Sequence, residues 1–210
     1  MTKKQRASEV IELLKTEYPI AKCELNAETP FQLICATCLS AQCTDAKVNK
    51  VTPTLFGKYP TENELAEADL KDIEEIIKTL GLYKNKSKNL LAMAKSVRDN
   101  FGGVLPDTIE ELTTLSGVGR KTANLILGDV YKKPAVVCDT HVIRITNLLG
   151  LTDSKDPLKV EMQLKKILPP EESNDFCHRI VLHGRAICVA RRPKCRECLL
   201  KEICKYGAKQ

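Results

Sequence analysis

Tryptophan is absent from the 210 residues, and phenylalanine and tyrosine number only four and five. An aromatic core is therefore excluded. The hydrophobic 43% of the chain must bury itself as aliphatic side chains, which suits packed helices. No apolar run approaches the ~18 residues of a membrane span. The N-terminus carries Lys3, Lys4 and Arg6 but no apolar stretch behind them, so it does not read as a secretory signal. A soluble cytoplasmic protein with no membrane partner is expected. Internal repeats, low-complexity tracts and long linkers are missing too, and the length allows one large domain or two small ones. Strand signal is nearly absent. The one candidate, Ala135-Val136-Val137, is too short to commit to.

What is abundant is positive charge and cysteine. Lys and Arg total 33 against 27 for Asp and Glu, a net charge of +6, which favours a polyanionic partner without proving one. Ten cysteines without a secretory signal point to metal binding or plain burial rather than disulfides.

Helical signals dominate, and the fold class they define is all-α, with ~10 helices. Val10, Ile11, Leu13 and Leu14 form an apolar stripe. Thr29-Pro30 starts a second helix through Phe31, Leu33, Ile34, Cys35 and Cys38, apolar on nearly all sides and so expected to be buried. Thr61 with Glu64, and Asp107 with Glu110, read as capping boxes. Gly81 reads as a C-cap after Ile73, Ile76, Ile77 and Leu80. Pro53 should break or kink the helix after Asp45. A late helix should begin at Asp156-Pro157 and end at Pro169-Pro170.

Cys188, Cys195, Cys198 and Cys204 follow the pattern Cys-x6-Cys-x2-Cys-x5-Cys. Four thiolates this close can wrap one metal centre, and a wide iron–sulfur cube tolerates the long loops. Zinc is the competing occupant, although structural zinc sites usually pair two tight knuckles and only one is present. Four unrelated cysteines are the third reading. The intervening Arg191, Arg192 and Lys194 make a cationic loop suited to phosphate, or to balancing anionic thiolates.

Leu115-Ser116-Gly117-Val118-Gly119-Arg120-Lys121-Thr122-Ala123 lies between two helical stretches and reads as a helix–hairpin–helix. Its glycines permit positive φ, and the amides opening the next helix suit one phosphate. The helix end and Arg120 both disfavour a charged Lys121. Position alone leaves Lys121 as either a phosphate contact or an amine nucleophile. Asp139 follows an apolar run and precedes Val142, Ile143 and Ile145, so it reads as an N-cap. A carboxylate held this way also suits stabilising a cationic sugar.

In combination, these residues resemble the endonuclease III family of DNA glycosylases. The resemblance rests on Leu39-Ser40-Ala41-Gln42-Cys43-Thr44-Asp45, Gly81-Leu82-Tyr83, Leu115 to Ala123, Val137 to His141, Leu182-His183-Gly184-Arg185 and the four-cysteine array, in the family's order. It implies two helical lobes. A six-helix barrel with the helix–hairpin–helix would cover residues 22–133, and an iron–sulfur cluster lobe residues 1–21 and 134–210. It implies a 4Fe-4S cluster on the four cysteines. It also implies base excision from duplex DNA, preferably of oxidised pyrimidines, followed by AP lyase β-elimination. Lys121 aligns with the Schiff-base nucleophile and Asp139 with the catalytic aspartate. Gln42 aligns with the residue that fills the gap left by the extruded nucleotide, and Leu82 with a wedge on the opposite strand. Gly117, Val118, Gly119 and Arg120 would hold the DNA backbone, with Arg191, Arg192 and Lys194 as a second contact. The expected partner is double-stranded DNA with damaged bases or abasic sites, met by a monomer in a bacterial-type cytoplasm, at the nucleoid.

Ser116 stands where the family usually has proline, a change expected to loosen the hairpin. Cys43 and Cys138 are extra cysteines beside functional positions with no assigned role, and Cys35 and Cys38 are expected to be buried. Two rival readings are a monofunctional adenine or mismatch glycosylase and a non-catalytic iron–sulfur DNA-binding protein. The adenine branch uses a glutamate where this chain has Thr37, and lacks the lysine at 121.

Overall fold

The structure is a computed structural model that describes residues 1–209. Gln210, the last residue of the expected cluster lobe, lies outside the described residues. Among the described residues there are eleven α-helices, a few short 3₁₀ turns and no strand. No helix among them is long and apolar enough to cross a membrane. Two compact units are present: Glu24–Tyr131, and Met1–Cys23 together with Lys132–Gln210.

Helix α1, Lys3–Glu17, starts at a Thr2–Gln5 capping box and buries Ala7, Val10, Ile11 and Leu14. In the Glu24–Tyr131 unit, α2 spans Pro30–Leu39 behind the Thr29 cap and is buried on most sides. Helix α3, Asp45–Lys58, is capped by Thr44. Of the break or kink expected at Pro53, the break does not occur: the helix continues through it. Val48, Val51, Thr52 and Leu55 form one buried face on both sides of the proline, and that packing offsets a single lost backbone bond. Helix α4, Glu62–Ala66, opens on the Thr61–Glu64 capping box. Helix α5 runs Leu70–Ile77 from Asp69. Helix α6, Tyr83–Phe101, is the spine, with α2, α4 and α5 packed against it. Gly81 is not a C-cap: α5 has already ended, and the left-handed residue is Leu82. Helix α7 is the single turn Ile109–Leu112, and α8 is Arg120–Asp129. The α7 cap is Thr108 rather than Asp107, its hydroxyl accepting from the Glu111 amide at 3.2 Å. Two adjacent capping residues made the choice ambiguous.

In the other unit, the run Ala135–Val137 is buried without strand pairing among the described residues. It leads into α9, Thr140–Leu149. Helix α10 is Pro157–Lys165, ending before the expected Pro169-Pro170. Pro170 instead opens a 3₁₀ turn leading into α11, Ser173–Ala186. Helix α11 packs on α1 and α9. Lys15 of α1 pairs with Glu172, and Arg179 reaches the Tyr18 carbonyl at 3.2 Å. Among the described residues, the only aromatic side chains of the apolar core are Phe31 and Phe176. Each fully buried leucine or isoleucine, such as Leu14 or Ile180, stabilises by about 1.5–3 kcal/mol.

Candidate active site and cysteine centre

The hairpin between α7 and α8 turns at Gly117, φ +80°. A side chain there would be strained, and its Cβ would stand 3.0 Å from the Asn89 side chain. Gly119 was expected to share that conformation but is extended, with φ −92°. Gly119 caps α8 without a side-chain hydrogen bond, so the first amides of the helix have no cap. A Cβ at Gly119 would meet nothing within 4 Å, which leaves room for a ligand to approach the backbone. Val118 is only 6% exposed, so it can offer its backbone but not its side chain. Lys121 is exposed in the first turn, with no carboxylate salt-bridged to it among the described residues.

Ser116 is tied to a neighbouring helix at this turn. Its hydroxyl donates to Asn89 Oδ1 on α6 at 3.0 Å. From α2, the Cys38 thiol donates to the Gly117 carbonyl at 3.5 Å, and burial pushes that thiol up to about 12. The hairpin is thus tied to two helices. Gly117→Ala should destabilise the Glu24–Tyr131 unit by about 1–2 kcal/mol through left-handed strain alone. Chemical denaturation checks this, and an unchanged midpoint would show that the turn relaxes freely.

Only three non-glycine residues of the described chain have positive φ: Gln42, Leu82 and Lys132. Gln42, φ 57°, stands in the turn between α2 and α3, and its side chain is exposed. Leu82, φ 61°, immediately precedes α6 and is 55% exposed. It is therefore no ordinary apolar residue after a C-cap. An exposed leucine in a left-handed turn costs stability twice, through backbone strain and through apolar exposure. Such strain tends to persist where function requires it.

Asp139 caps α9. Its Oδ1 accepts from the Val142 amide at 2.8 Å, and its Oδ2 lies 3.0 Å from His141 Nδ1. Both carboxylate oxygens are held, yet the side chain keeps 19% exposure. His141 in turn packs on α11 at Gly184, where a Cβ would come within 2.7 Å of the ring. Thr37, by contrast, is buried with its hydroxyl on the Leu33 carbonyl at 2.8 Å.

Cys188, Cys195, Cys198 and Cys204 all line one open pocket, with His183, Ile145 and Leu200. No three His, Cys, Asp or Glu side chains among the described residues are arranged to hold a single ion. Burial raises the Cys188 and Cys198 thiols, while the Arg144 guanidinium opposes the rise at Cys188. Three donors address the sulfurs: Arg144 Nη1 at 3.5 Å from Cys188, the Gly207 amide at 3.3 Å from Cys204, and the Leu200 backbone at Cys198. His183 Nε2 lies 3.5 Å from Cys198, and burial holds its imidazole down at about 4. The cysteine segment is fastened to α9. Arg144 Nη2 donates to the Cys188 carbonyl at 2.7 Å, and the Tyr206 amide donates to the Leu148 carbonyl at 3.1 Å. Arg191, Arg192 and Lys194 are exposed on the loop. Sequence reasoning missed Arg144, although a lone cation within Val142-Ile143-Arg144-Ile145 was a usable signal. It also missed Asn89, which carried none.

A family model described as HhH-GPD superfamily base excision DNA repair protein matches residues 35–170, and this fixes the class. The chain is similar to endonuclease III of Synechocystis sp., 48% identical over 97% of this chain and 93% of that one. It is also similar to endonuclease III of Escherichia coli strain K12, 35% identical over 98% of each. A solved trapped endonuclease III–DNA covalent intermediate superposes with a TM-score of 0.93 at 40% identity, covering 100% of this chain and 99% of that one. A thermostable thymine-DNA glycosylase, 20% identical, shares the fold with a TM-score of 0.87. The chain belongs to the endonuclease III family and is a base-excision-repair enzyme of the DNA glycosylase and AP lyase class.

Proposed function

We propose that this enzyme removes oxidised pyrimidines from duplex DNA with Lys121 as nucleophile, and then breaks the strand by β-elimination. The observation that carries the reading is the exposed Lys121 amine in the first turn of a helix whose opening amides have no side-chain cap. Those amides and Gly117, Val118, Gly119 and Arg120 suit one DNA phosphate, which would bring the amine beside a deoxyribose. The Lys121 nitrogen attacks C1′, the damaged base leaves, and an imine forms. The 2′ proton becomes acidic, and its loss expels the 3′ phosphate. Water then hydrolyses the imine and frees the lysine. Asp139, fixed by two hydrogen bonds, stabilises the cationic sugar or activates the nucleophile. A relative solved as a trapped covalent intermediate with DNA supports a covalent route.

Chemistry at C1′ needs the nucleotide out of the stack. Gln42 fills the vacated position and Leu82 wedges the opposite strand, a reading supported by their exposure on strained turns. Arg191, Arg192 and Lys194 contact phosphate. The two compact units support taking residues 22–133 as the barrel lobe and 1–21 with 134–210 as the cluster lobe. Cys188, Cys195, Cys198 and Cys204 hold a 4Fe-4S cluster. Four thiols around one cavity, not closed on a single ion, with donors aimed at three of the sulfurs, fit that group better than zinc. The cluster when bound supplies a covalent brace. The enzyme works as a monomer on nucleoid DNA in the cytoplasm.

Duplexes with one oxidised pyrimidine or one oxidised purine provide the test. Base release should be at least on the order of tenfold faster on the pyrimidine. Equal rates would overturn the lesion class while leaving the lyase untouched.

A further inference from the structure

The turn that carries Gln42 also holds a thiol–amine pair that the chemistry above does not use. Lys86 Nζ on α6 lies 3.2 Å from Cys43 Sγ. Lys86 is only 6% exposed. A buried ammonium ordinarily pairs with a carboxylate. No carboxylate is salt-bridged to Lys86 among the described residues, and the amine is directed at sulfur instead. Cys43 is half-buried, so its sulfur remains within reach of small solutes. Each partner adjoins a strained tip. Cys43 directly follows Gln42, and the Lys86 amide donates to the Leu82 carbonyl at 3.0 Å.

We propose that Cys43 and Lys86 form a redox modification site. Hydrogen peroxide oxidises Cys43 to a sulfenic acid, which Lys86 captures as a sulfenamide. In the first step the sulfur attacks a peroxide oxygen and the O–O bond breaks. Sulfur loses two electrons, one oxygen stays on it, and the other leaves as water. In the second step the Lys86 nitrogen, its ammonium having given one proton to solvent, attacks sulfur and the S–O bond breaks. The hydroxyl leaves as water, taking a proton from nitrogen. One peroxide, one thiol and one amine thus give one S–N bond and two waters. An amine already in contact with the sulfur makes this capture unimolecular, as known for backbone nitrogens beside sulfenic acids. A thiol reductant reverses it.

The link joins the α2–α3 turn to the start of α6 and so fixes the spacing of the Gln42 and Leu82 tips. That consequence rests on the proposed DNA contacts; the cross-link itself does not. Treating the cluster-loaded protein with hydrogen peroxide, followed by peptide mass spectrometry, tests the site. A Cys43–Lys86 linked peptide is expected, with the chain about 2 Da lighter and the change reversed by a dithiol. In Lys86→Gln, dimedone should instead trap a sulfenic acid at Cys43. Cys43 should react at least on the order of tenfold faster than Cys23, another half-buried cysteine. Equal rates, or a sulfenic acid lasting as long in wild type as in Lys86→Gln, would overturn the site. Visible absorbance monitors the cluster, so that its oxidation is not mistaken for the link. Strand incision by the linked fraction should fall on the order of tenfold and return with dithiol. Unchanged incision overturns the role at Gln42, whereas a reduced enzyme that never incises overturns the functional reading instead.

Discussion

Lys121→Ala should abolish the adduct that borohydride traps on duplex DNA with a single abasic site. It should also lower strand incision by on the order of 10³-fold or more, since the proposed imine forms on this amine. The folded state should barely notice. Lys121 is exposed, and surface substitutions away from special features change stability by only about 0.5 kcal/mol. Lys121→Arg separates the two readings that position alone left open. Arginine keeps the charge and a phosphate contact, but its guanidinium does not deprotonate and so cannot become an imine. Retained DNA binding without an adduct would therefore establish the nucleophile. An adduct surviving in Lys121→Ala would place the reacting amine elsewhere and remove Lys121 from the mechanism.

The parts legible in the sequence were those fixed by neighbours along the chain. Caps are such parts: Thr29, Thr61, Asp139 and Asp156 each accept from an amide two or three residues on. The all-helical class followed from the same local stripes. Local reasoning slipped where two local rules competed. Asp107 and Thr108 are both capping residues. Gly81 is the residue usually found left-handed, yet Leu82 takes that conformation. Pro53 obeys its rule only until burial on both sides outweighs it. What stayed hidden were pairs far apart in sequence. Ser116 and Asn89 are 27 residues apart, Cys43 and Lys86 are 43 apart, and Arg144 and Cys188 are 44 apart. Nothing in one sequence marks Asn89 as the partner that steadies Ser116. The candidate catalytic groups were legible because their positions carry family spacing, whereas the residues that brace them carry none.

That bracing explains why the largest stability loss is expected far from the chemistry in sequence. Cys198→Ser should lose bound iron and soluble yield, and destabilise the unit by more than about 4 kcal/mol, the range reserved for losing a metal or a buried network. Helix α9 is the reason the effect spreads. Its first residue follows the Asp139 cap, its middle sends Arg144 to Cys188, and its last turn receives Tyr206 on the Leu148 carbonyl. Gly150, φ +75°, ends the helix, and any Cβ there would strike Lys205 within 2.3 Å. The cysteine segment therefore grips the middle and end of the same helix whose start holds the carboxylate. The segment 188–204 has short 3₁₀ turns but no helix of its own, so little besides its thiols and their contacts to α9 holds it in place. A folded remnant of Cys198→Ser should then release bases more slowly while Lys121 still forms some adduct on abasic DNA. Full iron content in the mutant would remove Cys198 from the ligand set. Lost iron with unchanged base release would mean that α9 holds Asp139 in place unaided, its cap bonds to Val142 and His141 being sufficient.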